Sequence, residues 1–183
     1  TRDPAVYRGN PFQIEVGLAY ARPGTAGGPG ADDPARLLRF ANKVPLLTMP
    51  GACSMTKAAA GVNWKSYGLA QPRDGLPIGP LVILIHIASV WVPFTSESKE
   101  AIAHYPEIIR EITFALQEAG RRLAVFLNRR RRQAESERKR QFIELYLPHL
   151  ALGLRDILEL SRAQESGIVS NLRRMLERTH LET

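Results

Sequence analysis

Apolar and polar residues alternate strictly near the start of the chain: Phe12, Ile14, Val16, Leu18 and Tyr20 stand against Gln13, Glu15, Gly17 and Ala19. A period of two belongs to a strand with one buried face. Leu37 to Leu47 is a second apolar stretch, separated from the first by a loop at 23–34 rich in Gly, Pro and Asp. The pair reads as two antiparallel strands joined by a long hairpin loop. Residues 51–61 are mostly small, with Ala58, Ala59 and Ala60 in succession, which suits a short helix packed closely on a sheet. Leu81 to Val92 is apolar at nearly every position, the pattern of a central strand covered on both faces. Strand, strand, helix, strand, helix predicts an α+β fold of the split βαβ kind.

From about Ser96 onward the chain reads as helix almost to its end. Pro106 suits a first helical turn, and Glu107 and Glu111 favour its positive end. Ile109, Ile112, Leu116, Ala119, Leu123 and Phe126 follow at spacings of three and four, a stripe for a core or a partner helix. No Gly or Pro interrupts residues 121–147, so a helix from Pro106 to Leu147 would run roughly 60 Å. Phe142, Ile143, Leu145, Tyr146, Leu150, Leu154, Ile157 and Leu158 resume the apolar pattern around Pro148, where a kink is predicted. A last amphipathic segment, Ile168 to Leu176, is expected after a break at Gly167. The patterns divide the chain into a sheet with its packed helix at 1–105, a long helix at 106–160 and a terminal helical segment at 161–183.

A chain of 183 residues, 44% hydrophobic and 23% charged, has the composition of a globular protein and not of a disordered tail. Its one cysteine, Cys53, excludes an internal disulfide, suits a reducing compartment and reads as a small buried residue. The run Leu81–Val92 contains His86 and Ser89 and is too short to span a bilayer. A soluble, cytoplasmic protein without a membrane partner is therefore expected. An opening of Thr-Arg-Asp-Pro, without Met, suggests a piece of a longer protein. Charge sharpens the picture more. Between Arg121 and Arg140 stand nine basic residues against two acidic ones, which accounts for the whole net charge of +7. Such concentration points to a polyanionic partner, an acidic protein face, or a solvated helix face.

No catalytic cluster is visible. The four histidines (86, 104, 149 and 180) are scattered, and none has a partner at metal-ligand spacing; His86 reads as a satisfied core histidine. The glycines at 24, 27, 28 and 30 follow a strand but lead to no helix and are interrupted by Pro29, so they read as a hairpin loop and not a phosphate loop. Two segments ask for more. In Asn63-Trp64-Lys65-Ser66-Tyr67-Gly68 two aromatics flank a lysine, an arrangement that can place a cation on phosphate while rings pack on sugar or base; the alternative is a Trp that anchors the loop to the core. In Val92-Pro93-Phe94-Thr95-Ser96-Glu97-Ser98-Lys99-Glu100 one lysine stands among small hydroxyl residues beyond the end of a strand. A lysine there can reach a ligand phosphate as a point charge, and Ser96 or Ser98 can equally be a helix N-cap.

These segments, in this order, resemble the transducer of topoisomerase VI B subunits. The stretches that carry the resemblance are YRGNPFQIEVGLAY at 7–20, LLRFANKVPLL at 37–47, GVNWKSYGL at 61–69 and PIGPLVILIHIASVWVPFTSESKEAIAHYPEI at 77–108. The resemblance implies the transducer fold of the GHKL ATPases, like the second domain of ribosomal protein S5, followed by a long stalk helix. It implies that Lys99 is the switch lysine that contacts the γ-phosphate of ATP, and that Trp64, Lys65 and Tyr67 form the WKxY motif associated with DNA binding. Arg129, Arg130, Arg131 and Arg132 would then lie on the stalk facing double-stranded DNA. The implied whole is an ATP-dependent type IIB DNA topoisomerase. Its implied partners are the A subunit of topoisomerase VI, on which the terminal helical segment would dock, and a second B subunit, in a heterotetramer of two A and two B subunits. ATP and Mg2+ would be held mainly by a nucleotide-binding domain for which this chain shows no matching residues. Nor does it show the DNA-cleaving tyrosine, so no catalytic residue and no metal site are expected in it. The runner-up is an S5-like nucleic-acid-binding or scaffold module in which Lys99 has no role.

Overall fold

The computed structural model describes residues 1–21 and 28–181, with side chains as far as residue 176. Residues 23–27 of the loop at 23–34, with Gly24 and Gly27, and the side chain of His180 lie outside the described residues. Two compact units are present, Thr1–Leu127 and Asn128–Thr183.

The first unit is built on five strands: β1 (Ala5–Tyr7), β2 (Asn10–Tyr20), β3 (Arg36–Ala41), β4 (Val44–Pro45) and β5 (Leu81–Ser89). Their order across the sheet is β1-β2-β5-β3-β4. The α+β class stands, but the expected hairpin between the first two long strands does not form. Strand β5 lies between them, antiparallel to β2 (Val16 opposite Ile85) and parallel to β3 (Arg39 opposite Ile85). The reason is burial: β5 is the most apolar strand, and the central place removes both its backbone edges from water. The apolar stretch at 37–47 is itself broken into β3 and β4 by a two-residue turn, Asn42-Lys43, with φ of 46° and 69°, values that suit the twist of a tight hairpin.

Helix α1 (Ser54–Gly61) and the first part of α2 (Pro106–Leu158) share one core with the sheet. Leu81, Ile83, Ile85 and Ile87 of β5 are fully buried, while Val82, Leu84 and His86 on the other face are half-buried. The expectation of a strand covered on both faces is therefore met on one face only. His86 is satisfied: its Nδ1 lies 2.8 Å from Glu15 Oε2, and the Lys43 backbone N–H donates to its Nε2 at 3.0 Å. The hydrogen bond from His86 holds the Glu15 carboxyl below its ordinary range. Cys53 is buried.

The long helix begins where the sequence places it, while the residues from Ser96 up to it, which also read as helical, are not helix. Residues 93–103 form a loop and α2 starts at Pro106. In its first part Ile108, Ile112, Ala115, Leu116 and Leu123 are buried, so the predicted stripe holds at Ile112, Leu116 and Leu123, with Ile109 partly buried against the core and Phe126 left half exposed. Gly120 permits the closest approach on this face. A Cβ there would lie 2.7 Å from two ring carbons of Tyr67, and that ring is backed edge-on by Trp64 at 6.1 Å. Gly120→Ala is expected to destabilise the domain by about 1–3 kcal/mol, measured as a lower urea midpoint. Adding Tyr67→Ala should give a double variant less destabilised than the sum of the two.

In the second unit α2 continues through Pro148 to Leu158, and α3 runs Arg162–Leu181 through Gly167. The helix break does not fall at Gly167, where the sequence predicts it, but between the two helices. Glu159 adopts a left-handed φ of 52°, and Ser161 and Gln164 cap the next helix reciprocally: the Ser161 N–H donates to Gln164 Oε1 at 2.9 Å and the Gln164 N–H to Ser161 Oγ at 3.4 Å. A Ser-x-x-Gln capping box is a stronger stop-and-start signal than a lone Gly or Pro. Arg155 Nη1, bonded to Glu165 Oε2 at 3.1 Å, ties the two helices together.

Candidate functional site

Lys99 stands at the tip of a pinned loop. Its base is a two-rung ladder: the Thr95 N–H donates to the Ala101 carbonyl at 2.9 Å and the Ala103 N–H to the Pro93 carbonyl at 2.8 Å, around a bridge between Phe94 and Ile102. Ala101 and Ile102 are fully buried. The Ser54 N–H, first of α1, donates to the Ile102 carbonyl at 2.9 Å, so the loop is anchored to core and helix alike. At the tip, Ser96 and Ser98 bond to each other through their hydroxyls at 2.6 Å. They do not cap α2, which begins ten residues after Ser96. The Lys99 N–H closes the turn on the Ser96 carbonyl at 3.1 Å, with φ at 54°. A non-glycine residue in the left-handed region costs about 1 kcal/mol. Lys99 is exposed, and its ammonium has no partner among the described residues. A stiff, buried base and a free cation at a strained tip can place a positive charge with little loss of entropy on contact.

The Trp64–Tyr67 segment is a single 3-10 turn following α1. Trp64 is fully buried, and its Nε1 donates to the Ala59 carbonyl at 2.8 Å. A second anchor is Gln71, whose Oε1 accepts the Trp64 backbone N–H at 3.0 Å and whose Nε2 donates to the Ala60, Val62 and Gly75 carbonyls. The Trp64 ring therefore offers no face to a ligand: the reading in which it packs on DNA is corrected to that of a core anchor. Tyr67 is half-buried between Trp64 and Gly120. Of the motif, Lys65 alone is fully presented to solvent. Gly68, in the left-handed region with φ of 85°, ends the turn.

Arg129, Arg130, Arg131 and Arg132 belong to the second unit and are all exposed. Ion pairs flank them at Arg122–Glu118 (2.8 Å) and Arg140–Glu144 (2.9 Å), while Arg129, Arg131 and Arg132 have no carboxylate partner among the described residues. Beyond them Phe142, Leu145, Leu150, Ile157 and Leu158 are exposed. The structure thus places Trp64, Lys65 and Tyr67 on one turn, Lys99 on a separate loop of the same unit, and the arginines in the other unit. Sequence reading missed the anchoring of the Lys99 loop by α1, a backbone hydrogen bond that leaves no side-chain signature. It also missed Gln71, whose role rests on three carbonyls, one in the last turn of α1 and two beyond it. Among the described residues no helix is long and apolar enough to cross a membrane.

The family model for the transducer of the topoisomerase VI B subunit matches residues 1–139. The B subunit of type 2 DNA topoisomerase 6 from Archaeoglobus fulgidus is 48% identical over 172 residues, 94% of this chain and 28% of its own length. The corresponding subunit of Pyrococcus horikoshii is 41% identical over 155 residues, 84% of this chain and 25% of its own. The chain thus spans about a quarter of the length of these curated relatives. Among solved structures, the B subunit of DNA gyrase from Myxococcus xanthus aligns with 66% of this chain and 32% of its own, at 20% identity and a TM-score of 0.40. The family match and the identities over most of the chain lead to one conclusion: this chain belongs to the family of topoisomerase VI B subunit transducers.

Proposed function

We propose that this domain relays ATP binding to DNA strand passage in a type IIB topoisomerase. The observation that carries the reading is the Lys99 loop, a free ammonium on a rigid base at the end of the central strand's connection. An exposed, unpaired cation of this kind fits the γ-phosphate of an ATP, with its Mg2+, held by a nucleotide-binding domain elsewhere in the full-length protein. ATP supplies a ligand that differs between its bound and hydrolysed forms. Lys99 contributes a contact to only one of them, which is what a ligand needs in order to shift a conformational equilibrium. Rigid coupling of the loop to α1 through the Ser54–Ile102 hydrogen bond then moves the sheet with the lysine.

The remaining partners follow from surface chemistry. Lys65 and the run Arg129–Arg132 suit the phosphates of double-stranded DNA. The exposed apolar residues of the second unit, among them Ile157 at 78% exposure, suit docking on the A subunit of topoisomerase VI. Two B subunits drawn together by ATP would complete a heterotetramer with two A subunits in the cytoplasm. Charge reversal of Arg129, Arg131 and Arg132 to Glu in the full-length protein is expected to weaken duplex binding at least tenfold at moderate salt. It should also reduce the slope of log affinity against log salt by about 0.9 for each phosphate no longer neutralised. Unchanged affinity and slope would make these arginines a solvated face. The direct test of the relay is relaxation of supercoiled DNA by the assembled topoisomerase carrying Lys99→Ala, with ATP hydrolysis measured in parallel. Wild-type relaxation would return the domain to a binding or scaffold role.

A further inference from the structure

The loop that carries Lys99 leaves the sheet from a stack of aromatic rings. Its first rung, between Pro93 and Ala103, is flanked by Trp91 two residues before it and Tyr105 two residues after it. Both rings lie against one ring of β1. Trp91 is stacked on Tyr7 with centroids 6.4 Å and planes 17° apart, and Tyr105 meets Tyr7 at 4.5 Å. Arg8, in the tight turn after β1, closes the cluster: its guanidinium lies 5.4 Å from the Tyr7 centroid and 5.6 Å from that of Tyr105, within cation–π reach. On the near leg the Trp91 N–H donates to Ser89 Oγ at 3.2 Å, and that hydroxyl donates to the Pro11 carbonyl of β2 at 2.8 Å. On the far leg the Tyr105 carbonyl accepts the Ile109 N–H at 3.0 Å, at the start of α2. Tyr7 is buried, whereas Trp91 is 46% exposed. A ring left half in water adds to the core only in part; what its stacking fixes is the direction in which the loop departs.

We propose that Trp91, seated on Tyr7, is a positioning residue for Lys99, setting the angle of the loop and so the place of the ammonium. This role rests on the reading of Lys99 as a contact to the γ-phosphate. The leg from Pro93 to Glu97 reaches at most ~13 Å, so a tilt of about 10° at its foot moves the tip by ~2 Å. Misplacing a reacting or binding group by about 1 Å can cost on the order of a hundredfold. A flexible lysine side chain recovers part of that, which brings the loss expected without the ring to about tenfold. Tyr7, Tyr105 and the ladder remain in that case, so the loop stays formed while its near leg is free to tilt.

The test is relaxation of supercoiled DNA by the assembled topoisomerase, with the full-length protein carrying Trp91→Ala, Trp91→Phe, Lys99→Ala, or Trp91→Ala together with Lys99→Ala. Tyr7→Ala would open the core, whereas Trp91 is half exposed and its variants are expected to fold. Trp91→Ala should slow relaxation about tenfold, and Trp91→Phe, which keeps a ring on Tyr7, should stay within about twofold of wild type. On top of Lys99→Ala, Trp91→Ala should change the remaining rate by less than about twofold, because the group it positions is gone. A tenfold loss that recurs in full in the Lys99→Ala background overturns the proposal and gives Trp91 a contact or a structural role of its own. Wild-type relaxation by Trp91→Ala beside a defective Lys99→Ala overturns it equally. Wild-type relaxation by Lys99→Ala instead removes the underlying reading, and the positioning role with it.

Discussion

Lys99→Ala, carried by the full-length protein in the assembled topoisomerase, is expected to lower ATP-dependent relaxation of supercoiled DNA by about a hundredfold while ATP binding is largely kept. The size follows from removing one charge-assisted hydrogen bond to a phosphate in a water-poor site, worth about 2–4 kcal/mol. Alanine is a clean probe because it carries a Cβ, so the cost of φ at 54° stays and only the ammonium goes. Lys99→Gly separates the two effects further. Glycine adopts a positive φ without strain and should stabilise the loop by about 1 kcal/mol, yet it should abolish relaxation as alanine does. Loss of function with gain of stability is hard to reconcile with a structural lysine. If Lys99→Gly and Lys99→Ala both relax DNA at the wild-type rate, the tip lysine is an ordinary surface residue and the relay must run through other contacts.

How much of this was legible in the sequence depends on how local each signal was. The strands β2 and β5 and the start of α2 at Pro106 were readable because period and end signals lie within a few residues. Pairing was not: the insertion of β5 between β2 and β3 is a decision among distant segments, made by which strand gains most from losing both edges. The helix break was misread because Gly167 is familiar punctuation, whereas Glu159 and the Ser161–Gln164 box act together. At the candidate site the sequence showed Lys99 and Lys65 as cations of interest. It did not show that Trp64 faces inward, since one Trp beside one Lys looks the same whether the ring is buried or stacked on a base.

The inward placement of Trp64 separates two roles within one short turn. Trp64→Ala empties a fully buried site and strands the Ala59 carbonyl that its Nε1 bonds at 2.8 Å, so a loss of about 3–5 kcal/mol is expected. That is a large share of the stability of an ordinary domain, about 5–15 kcal/mol, and the variant should show a much lower urea midpoint together with faster exchange of the α1 amides. Trp64→Phe keeps most of the volume and should cost about 1–2 kcal/mol, chiefly the hydrogen bond. In the folded Phe variant, duplex affinity should stay within about twofold of wild type, because no part of the indole reaches the surface. Lys65→Ala should do the reverse. Exposed and away from the core, it should change stability by less than about 0.5 kcal/mol while lowering the salt slope of duplex binding by about 0.9, the share of one phosphate. The two variants thus divide a motif that sequence presents as a unit into a ring that holds the turn and a cation that the turn holds out. A Trp64→Phe protein of unaltered stability but without duplex affinity would invert that division and put the ring on the DNA.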